Sequence, residues 1–567
     1  MSLTPASRHR ENAVMELRVL PPDVDLRAKA PGRPLRVVLL AFYNYQSHAL
    51  RIFHPLLRHR GHDVHSIFFK NYFTYHEPTP KDCALVLDLV ERLEPDLVGM
   101  SVWSTYYQLA ARLTREIKRR TGAVVIWGGI HPQTKPRQCL EHADLVCKAE
   151  GELVLAELTD RMSLGLDWTD LPGTWVRTGD EIRENPSRAF LSDLDLLPPA
   201  DLTPENKYYL GYESWRDVAS WDLQAVSYDI MTARGCPFEC TFCIHNFTRT
   251  AFSDLGTYLR RRSVEHVLAE LRAAKEARPR LRTIAISDDI FAPPRPWLEE
   301  FCTRYKREIG LPFIVYSFPG MVDEKKVRLM REAGLWCTTI GIQSGSERIR
   351  RDCYERETSN ETILRACRIF ARYGVQRNLD FIGDNPYETD ADRLETLDLL
   401  LRLPKPFYFN FFSLTYFPGV SLTERALRDG HITEADVEDV AQKGYHLWGG
   451  ALLHHRKPED LYWDVLYAMA VHGFPPFLVH FLRKRRFFRK HIRLFARVLR
   501  RVQKLARWKG RVVDALAGRP NLLWQYWADT NRKDTPTDVV VQPNFDSSPL
   551  SVPLERPAGG RVPAVSG

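Results

Sequence analysis

Three cysteines lie within one short segment: Cys236, Cys240 and Cys243 have the spacing C-x3-C-x2-C. Thiolates are the ligands that iron–sulfur clusters require. Three thiolates can hold a four-iron four-sulfur (4Fe-4S) cluster while one iron keeps an open coordination site, where a molecule with an amine and a carboxylate could chelate. The spacing therefore predicts a 4Fe-4S cluster bound by Cys236, Cys240 and Cys243.

Two other interpretations of this segment stay open. Structural zinc normally takes a fourth protein ligand, which His245 could supply. Three unrelated loop cysteines are the second alternative, although Gly235 and Pro237 shape a turn around them. We favour the cluster. The other seven cysteines are scattered through regular-looking segments and are read as small buried hydrophobic residues.

The segment from Leu35 to about Met162 alternates short apolar runs with amphipathic stretches. This alternation predicts a doubly wound α/β domain with a five-stranded parallel sheet covered on both faces. Ligands of such sheets bind at the carboxyl ends of the strands. The predicted strands are Arg36–Phe42, Asp63–Phe69, Asp96–Val102, Ala123–Trp127 and Leu145–Cys147.

A second alternating block predicts a six-unit (βα)6 partial barrel, in which chemistry gathers at the strand carboxyl ends. The predicted strands are Ala225–Thr232, Arg282–Ser287, Phe313–Ser317, Cys337–Ile342, Arg377–Ile382 and Tyr408–Tyr416. The unusual residues follow these runs: Gly235–Cys243, Asp288-Asp289, Gln343-Ser344-Gly345, Gly383-Asp384 and Pro418-Gly419.

At 567 residues the chain is too long for one hydrophobic core and should divide into several domains. The predicted divisions are a flexible N-terminus (1–34), the α/β domain (35–162), a linker with a small hairpin near Thr174–Arg183 (163–224), the partial barrel (225–422), a helical basic region (423–530) and a disordered tail (531–567).

The composition is that of a globular protein, with 44% hydrophobic and 27% charged residues. We find no apolar run of membrane-spanning length and no secretory signal pattern near the N-terminus. These features predict a cytoplasmic protein.

The net charge of +9 is concentrated near the C-terminus. Fourteen Lys and Arg residues and no acidic residue lie between Arg483 and Arg511, with apolar residues at helical spacing. Such a basic amphipathic helix could contact an anionic membrane through residues 474–511, or pack on the barrel with a solvated cationic face. Nucleic-acid binding is disfavoured, because no recognition module accompanies the charge.

The cysteine signature, Phe242 before its last cysteine and the six-unit barrel together resemble the radical S-adenosylmethionine (SAM) superfamily. Members bind SAM at the open iron and release a 5′-deoxyadenosyl radical. The resemblance implies that the three cysteines bind the cluster and that Phe242 lies near the adenine. Candidates for other SAM contacts are Asp288, Asp289, Gln343 and Ser344, and the alternatives for these four are helix caps and turns.

Several phrases ahead of the barrel look like the cobalamin-binding domain of the cobalamin-dependent radical SAM enzymes. They are Asp96–Val102, Ile126–Pro132, Ala143–Val146 and Glu150–Glu152. The resemblance implies that Gly128 and Gly129 line a groove for the nucleotide tail of cobalamin, beside Ser101 and Ser104. The cobalt-binding D-x-H-x-x-G motif of many cobalamin proteins is absent, which leaves open a domain that has lost cobalamin.

The family implies methylation of an unactivated carbon, or less often phosphorus, of a small-molecule or lipid-like substrate. An electron donor such as flavodoxin or ferredoxin would supply the reducing electron. A cobalamin-dependent cyclase or rearrangement enzyme without methyl transfer is the alternative within the family. A non-catalytic cobalamin or cluster sensor is the alternative from another class.

Overall fold

A computed structural model describes residues 25–44, 47–70, 78–211, 213–216, 227–442 and 460–495. Its strands are β1 Arg36–Phe42, β2 Asp63–Phe69, β3 Leu97–Ser101, β4 Val124–Gly128, β5 Leu145–Cys147, β6 Thr174–Thr178, β7 Glu181–Glu184, β8 Lys207–Leu210, β9 Trp215–Arg216, β10 Ser227–Ile230, β11 Ala233–Arg234, β12 Arg260–Arg261, β13 Thr283–Ile286, β14 Phe313–Ser317, β15 Leu335–Gln343, β16 Gln376–Gly383 and β17 Tyr408–Ser413.

The α-helices in the described residues are α1 His48–His59, α2 Pro80–Leu93, α3 Tyr107–Arg120, α4 Ile130–Thr134, α5 Pro136–Cys139, α6 Glu152–Ser163, α7 Ile244–Ala251, α8 Val264–Ala277, α9 Arg295–Glu308, α10 Glu324–Ala333, α11 Asn360–Arg372, α12 Asp390–Arg402, α13 Ser421–Arg428, α14 Glu434–Gln442, α15 Asp460–Val471, α16 Pro476–Arg483 and α17 Arg486–Lys490.

The five strands predicted in the N-terminal segment form a parallel sheet in the order β5-β4-β3-β1-β2. β1 is buried along nearly its whole length, which explains its unbroken apolar sequence. The strand order reverses beside β1, and open α/β sheets bind ligands at such a reversal. The predicted fold class of this region is confirmed.

The segment predicted as a linker contributes four more strands to the same sheet. The predicted hairpin forms as β6 and β7 and adds antiparallel to β5, while β8 adds parallel to β2 and β9 follows β8. These additions pair backbone groups that edge strands would otherwise leave unpaired. Residues 163–224 therefore include both margins of the sheet, which periodicity alone did not indicate.

The six predicted barrel strands form one parallel sheet in the order β10-β13-β14-β15-β16-β17. Side chains alternate between the helices and the barrel interior: Leu379 and Phe381 of β16 join the outer apolar core, while Asn378 and Asp380 face the interior. The partial barrel is confirmed.

The C-terminal helices pack on the outside of this barrel. Trp463 of α15 donates a hydrogen bond to Asp390 (3.1 Å), and Tyr467 donates one to the Arg393 carbonyl (3.1 Å). The predicted basic helix from Arg483 to Arg511 is interrupted in its described part: α16 ends at Arg483, α17 spans Arg486–Lys490 and residues 492–495 are helical again, while residues 496–511 lie outside the described residues. So do the predicted disordered tail and most of the predicted flexible N-terminus. Within the described residues, the helices are all too short or too polar to cross a membrane.

Candidate functional site

The cysteine loop follows the first barrel strand. It leaves the β11–β12 ribbon through Gly235, which has φ +90°, and a β-carbon there would lie 2.5 Å from the Tyr258 carbonyl oxygen. Only glycine fits this close approach. Cys236 and Cys240 are buried and Cys243 is half-buried. The loop thus holds three thiols in a largely enclosed region at the carboxyl end of the barrel.

Backbone contacts tie this loop to the opposite side of the barrel. The Thr241 amide donates a hydrogen bond to the Tyr354 carbonyl oxygen (3.2 Å), and the Leu422 amide donates one to the Thr241 carbonyl oxygen (2.9 Å). The Thr241 hydroxyl also donates to the Cys353 carbonyl oxygen (2.6 Å). Burial raises the pKa of Cys236, and that of Cys243 to about 12. Thiols in this setting bind metal only with loss of a proton, so cluster binding and deprotonation are coupled.

His245, the alternative zinc ligand, has both ring nitrogens engaged by protein groups. Its Nδ1 lies 2.6 Å from the Tyr258 hydroxyl and its Nε2 lies 2.9 Å from Asp289. In the part of the chain that the structure describes, no three His, Cys, Asp or Glu side chains converge on a single-ion site. A 4Fe-4S cluster does not require such convergence, because each thiolate binds a different iron. The loop therefore fits the cluster.

Arg356 is a residue of this site that the sequence did not single out. Its guanidinium lies 3.3 Å from Cys240 Sγ, donates to the Gly341 carbonyl (2.7 Å) and covers the Phe318 ring at 4.4 Å. Arg356 lies beyond the end of β15 in an irregular segment without a motif. Arg356 is brought beside the predicted cluster ligand Cys240 only by the tertiary fold, since the two residues are 116 positions apart in sequence.

Asp288 is occupied by the protein itself. Its carboxylate accepts hydrogen bonds from the Thr232 amide (2.5 Å) and hydroxyl (2.5 Å), the Ala233 amide (3.0 Å) and Arg261 (3.1 Å). These donors hold the chain just ahead of the cysteines. We therefore assign Asp288 to anchoring the cysteine loop, whereas the sequence suggested a SAM contact.

Asp289 lies near the cysteine loop. It is about one-third exposed and pairs with His245, and its charge contributes to the raised pKa of Cys236 and Cys243. Phe242 packs edge-on against Tyr354, with ring centroids 5.0 Å apart. Both residues stay candidates for SAM contacts.

Gln343, the last residue of strand β15, and Ser344, which follows it, lie in different environments. Gln343 has φ +72°, and the register of β15 against β16 shifts there. Such strained positions in non-glycine residues often mark functional sites. Ser344 is buried and its hydroxyl donates to Glu388 (3.1 Å), where burial raises the pKa of Glu388 to about 7. Gln343 remains a SAM candidate, and Ser344 supports the strand end.

Ion pairs join the N-terminal domain to the cysteine loop. Arg234, two residues before Cys236, lies 3.1 Å from Glu150 and 2.5 Å from Glu152. Arg260 on the paired strand β12 makes two hydrogen bonds to Glu150, at 2.8 and 2.6 Å. All four side chains are at least three-quarters buried. These contacts fix the position of the N-terminal domain relative to the cluster site.

A cavity of about 360 Å³ lies at this domain junction. Its walls include Ser101, Gly128 and Gly129 from the sheet and Ala233 and Arg234 from the cysteine loop. A β-carbon at Gly128 would meet nothing nearer than 3.8 Å, so this glycine leaves open space at the end of β4. The cavity lies where the sequence predicts the groove for the nucleotide tail of cobalamin.

Two neighbouring residues have structural reasons for their identity. Gly129 has φ +99°, and a β-carbon there would lie 2.8 Å from the Val102 carbonyl oxygen. Ser104, also predicted beside the cobalamin tail, is buried outside the cavity wall and lies 3.1 Å from His131 Nδ1. Burial lowers the pKa of His131 to about 4, so this histidine is a neutral part of the core.

Comparison with known proteins matches both halves of this site in the same order. The B12 binding domain model matches residues 37–159, and the Radical SAM superfamily model matches residues 230–400. An uncharacterised methyltransferase of Pyrococcus horikoshii is 26% identical over 351 residues, which cover 60% of this chain and 72% of that protein. The anaerobic magnesium-protoporphyrin IX monomethyl ester cyclase of Rubrivivax gelatinosus is 25% identical, with 59% of each chain covered.

The fold is also similar to that of TsrM from Kitasatospora setae, a radical SAM methyltransferase. The structure of TsrM with cobalamin and a [4Fe-4S] cluster superposes with a TM-score of 0.57 at 17% identity, covering 83% of this chain and 100% of that one. The structure of TsrM with tryptophan and a SAM analogue gives a TM-score of 0.58 at 18% identity, covering 75% and 90%.

The barrel with its cysteine loop makes this chain a radical SAM enzyme. Because a B12 binding domain precedes the barrel, the chain has the two domains of the cobalamin-dependent radical SAM enzymes in their order. The predicted cofactor set of a 4Fe-4S cluster, SAM and cobalamin is thereby confirmed.

Proposed function

We propose that the protein is a methyltransferase that modifies an unactivated carbon of a small molecule. The observation that carries this proposal is the common wall of the two cofactor sites: Ala233 and Arg234 line the cavity fitted to cobalamin and directly precede the Gly235–Cys236 turn. A methyl donor bound there would lie beside the position at which a substrate radical forms.

When bound, the cluster with SAM supplies a radical that removes hydrogen from the substrate, and cobalamin supplies the methyl group. The chain's own task is to position these groups and exclude water. We assign cluster binding to the three cysteines and contacts with SAM to Phe242, Asp289 and Gln343. Arg356 adds a positive charge beside Cys240, where a cluster or the carboxylate of SAM carries negative charge.

A labelled-product experiment tests methyl transfer. The reconstituted protein, incubated without oxygen with reductant, cobalamin and SAM bearing a trideuterated methyl group, should add one labelled methyl group to its substrate. Small-molecule extracts of the source cells, separated by mass spectrometry, supply the candidate substrates. Formation of 5′-deoxyadenosine with a product that gains no label would contradict methyl transfer and favour the cyclase alternative.

Methyl transfer is favoured over the alternatives by those relatives of which this chain covers the larger share. The Pyrococcus protein and TsrM are both named methyltransferases, whereas the cyclase is covered over 59% of its length. The complete cysteine set argues against a sensor, since a sensor has no need for an open iron. A sensor would form no 5′-deoxyadenosine from SAM.

Replacing Arg356 tests its assignment. We expect Arg356→Gln to raise the KM for SAM about ten-fold or more, because a charge-assisted contact is lost, while the iron content stays near four per chain. Arg356→Lys should retain most of the affinity. The matched control is Arg372→Gln, an exposed arginine paired with Glu324. An unchanged KM for SAM in Arg356→Gln would exclude the assignment.

We further propose that a flavodoxin or ferredoxin reduces the cluster, since radical SAM chemistry needs one electron from outside the chain. Membrane contact through residues 474–511, with a lipid-like substrate, stays a prediction. In the described part of that segment, Phe477 of α16 and Phe487 of α17 are 75% and 65% exposed beside basic residues, whereas Phe488 is buried. These exposed rings are the surface that such contact would use.

A further inference from the structure

The interior of the barrel is polar on the side opposite the first strand. Neighbouring strands place their inward side chains in rows, because β16 pairs with β15 and β17 in parallel register. One row contains Tyr316, Thr339 and Asn378 on successive strands, and the next contains Gly341, Asp380 and Asn410. Tyr316 is 41% exposed, so the interior is open at this level.

Asp380 lies in this interior without a cationic partner. Its carboxylate accepts a hydrogen bond from Asn410 Nδ2 (2.8 Å), and among the described residues it forms no ion pair with any Lys, Arg or His. Burial raises its pKa to about 6. An unpaired carboxylate in such a place costs folding energy, which a bound cation would recover.

Two amide oxygens near Asp380 accept no hydrogen bond from the described residues. Asn410 is 91% buried and uses its amide nitrogen on Asp380, while Asn378 is 92% buried and uses its amide nitrogen on Thr339 (3.4 Å). The Oδ1 atoms of both residues lack a partner in the described structure. Buried polar atoms of this kind normally have one. The barrel interior therefore holds three oxygen acceptors that a bound ligand with N–H donors could satisfy, on Asp380, Asn378 and Asn410.

We propose that Asp380, Asn378 and Asn410 bind a protonated amine of the substrate, which makes the substrate an amine-bearing small molecule. A primary ammonium group has three donors, one for each of these acceptors. Gly341 lies beside Asp380 in the same row, and the side chains of Gln343 and Arg356 fill the space next to it, so the rest of the ligand would extend toward Tyr316, whose side chain is exposed. One carboxylate and two amide oxygens supply fewer oxygen ligands than the six to eight that Ca²⁺ takes. This substrate class rests on the proposed function.

A binding experiment tests the amine site without catalysis. The full-length reconstituted protein is titrated with benzylamine, benzyl alcohol and benzoate, and binding is followed by ligand-detected NMR. Benzylamine should bind at least ten-fold more tightly than benzyl alcohol, and benzoate should not bind. Asp380→Asn should weaken benzylamine at least ten-fold and leave benzyl alcohol unchanged, while the charge-matched surface variant Asp429→Asn should bind as wild type does.

Equal affinities for benzylamine and benzyl alcohol would overturn the proposal, as would unchanged benzylamine binding by Asp380→Asn. Asp380→Asn should melt no lower than wild type, because it removes a half-buried charge that forms no ion pair among the described residues. Asn410→Leu is the second variant and should also weaken benzylamine. SAM cleavage to 5′-deoxyadenosine, measured separately, keeps the two proposals apart: a protein that binds benzylamine but cleaves no SAM would refute the proposed function alone.

Discussion

Cys240→Ala should yield a protein that forms no 5′-deoxyadenosine from SAM yet still binds cobalamin. Two thiolates cannot hold a 4Fe-4S cluster whose fourth iron must stay open, so the site loses its iron. Cys240 also contacts Arg356, and its removal leaves this buried cation without its sulfur partner. Cys240 does not line the cavity proposed for cobalamin, so corrin absorbance should persist.

The measurement combines iron and sulfide analysis, the ultraviolet–visible spectrum and 5′-deoxyadenosine quantification after anaerobic reconstitution. Cys302→Ala is the matched control, because Cys302 is a buried cysteine of α9 outside the loop. We expect the control to retain both cofactors and activity. Continued 5′-deoxyadenosine formation by Cys240→Ala would refute the cluster assignment.

Arg234→Met should destabilise the protein and loosen the junction between its two cofactor sites. Glu152 is 4% exposed and would lose the one cation that pairs with it among the described residues, while Glu150 keeps Arg260. Removing one partner of a buried ion pair costs about 3–5 kcal/mol, and we expect about 3 kcal/mol because Arg260 remains. The cysteine loop begins at the next residue, so cluster retention should fall as well.

Thermal unfolding and iron content measure these two effects. Arg234→Met/Glu152→Gln should recover part of the lost stability, because the uncompensated carboxylate is then neutral. Arg368→Met, which breaks an exposed ion pair with Glu361, is the control and should change little. Wild-type melting and full iron content in Arg234→Met would show that this ion pair does not hold the junction.

The strand predictions agree with the structure because both sheets are parallel and covered by helices. Arg36–Phe42 is apolar since both of its faces are packed, and Phe313–Ser317 is buried on its outer face only; the structure gives both strands the predicted bounds. The strands of residues 163–224 were missed for the opposite reason. They lie at the sheet margins, where Glu181–Glu184 is mostly exposed and has little apolar pattern.

The amino-acid sequence does not predict which atoms a single polar side chain contacts. Asp288 and Asp289 are adjacent and chemically identical, yet Asp288 is enclosed by donors from its own barrel while Asp289 is one-third exposed beside the cysteines. Ser101 and Ser104 diverge in the same way, since only Ser101 lines the cavity. Small differences in backbone direction decide such outcomes, and no local pattern records them.

The cysteine spacing and the two periodic blocks predicted an iron–sulfur cluster and two α/β domains, because thiolate ligands and alternating strands are local features of the chain. SAM and cobalamin were implied by the resemblance of local sequence motifs to a known family. The assignment of Arg356, the Glu150–Arg234 junction and the acceptors around Asp380 came only from the tertiary structure. Their members are far apart in sequence, and only packing of strands and domains determines which charges meet and which oxygen atoms are left without a donor.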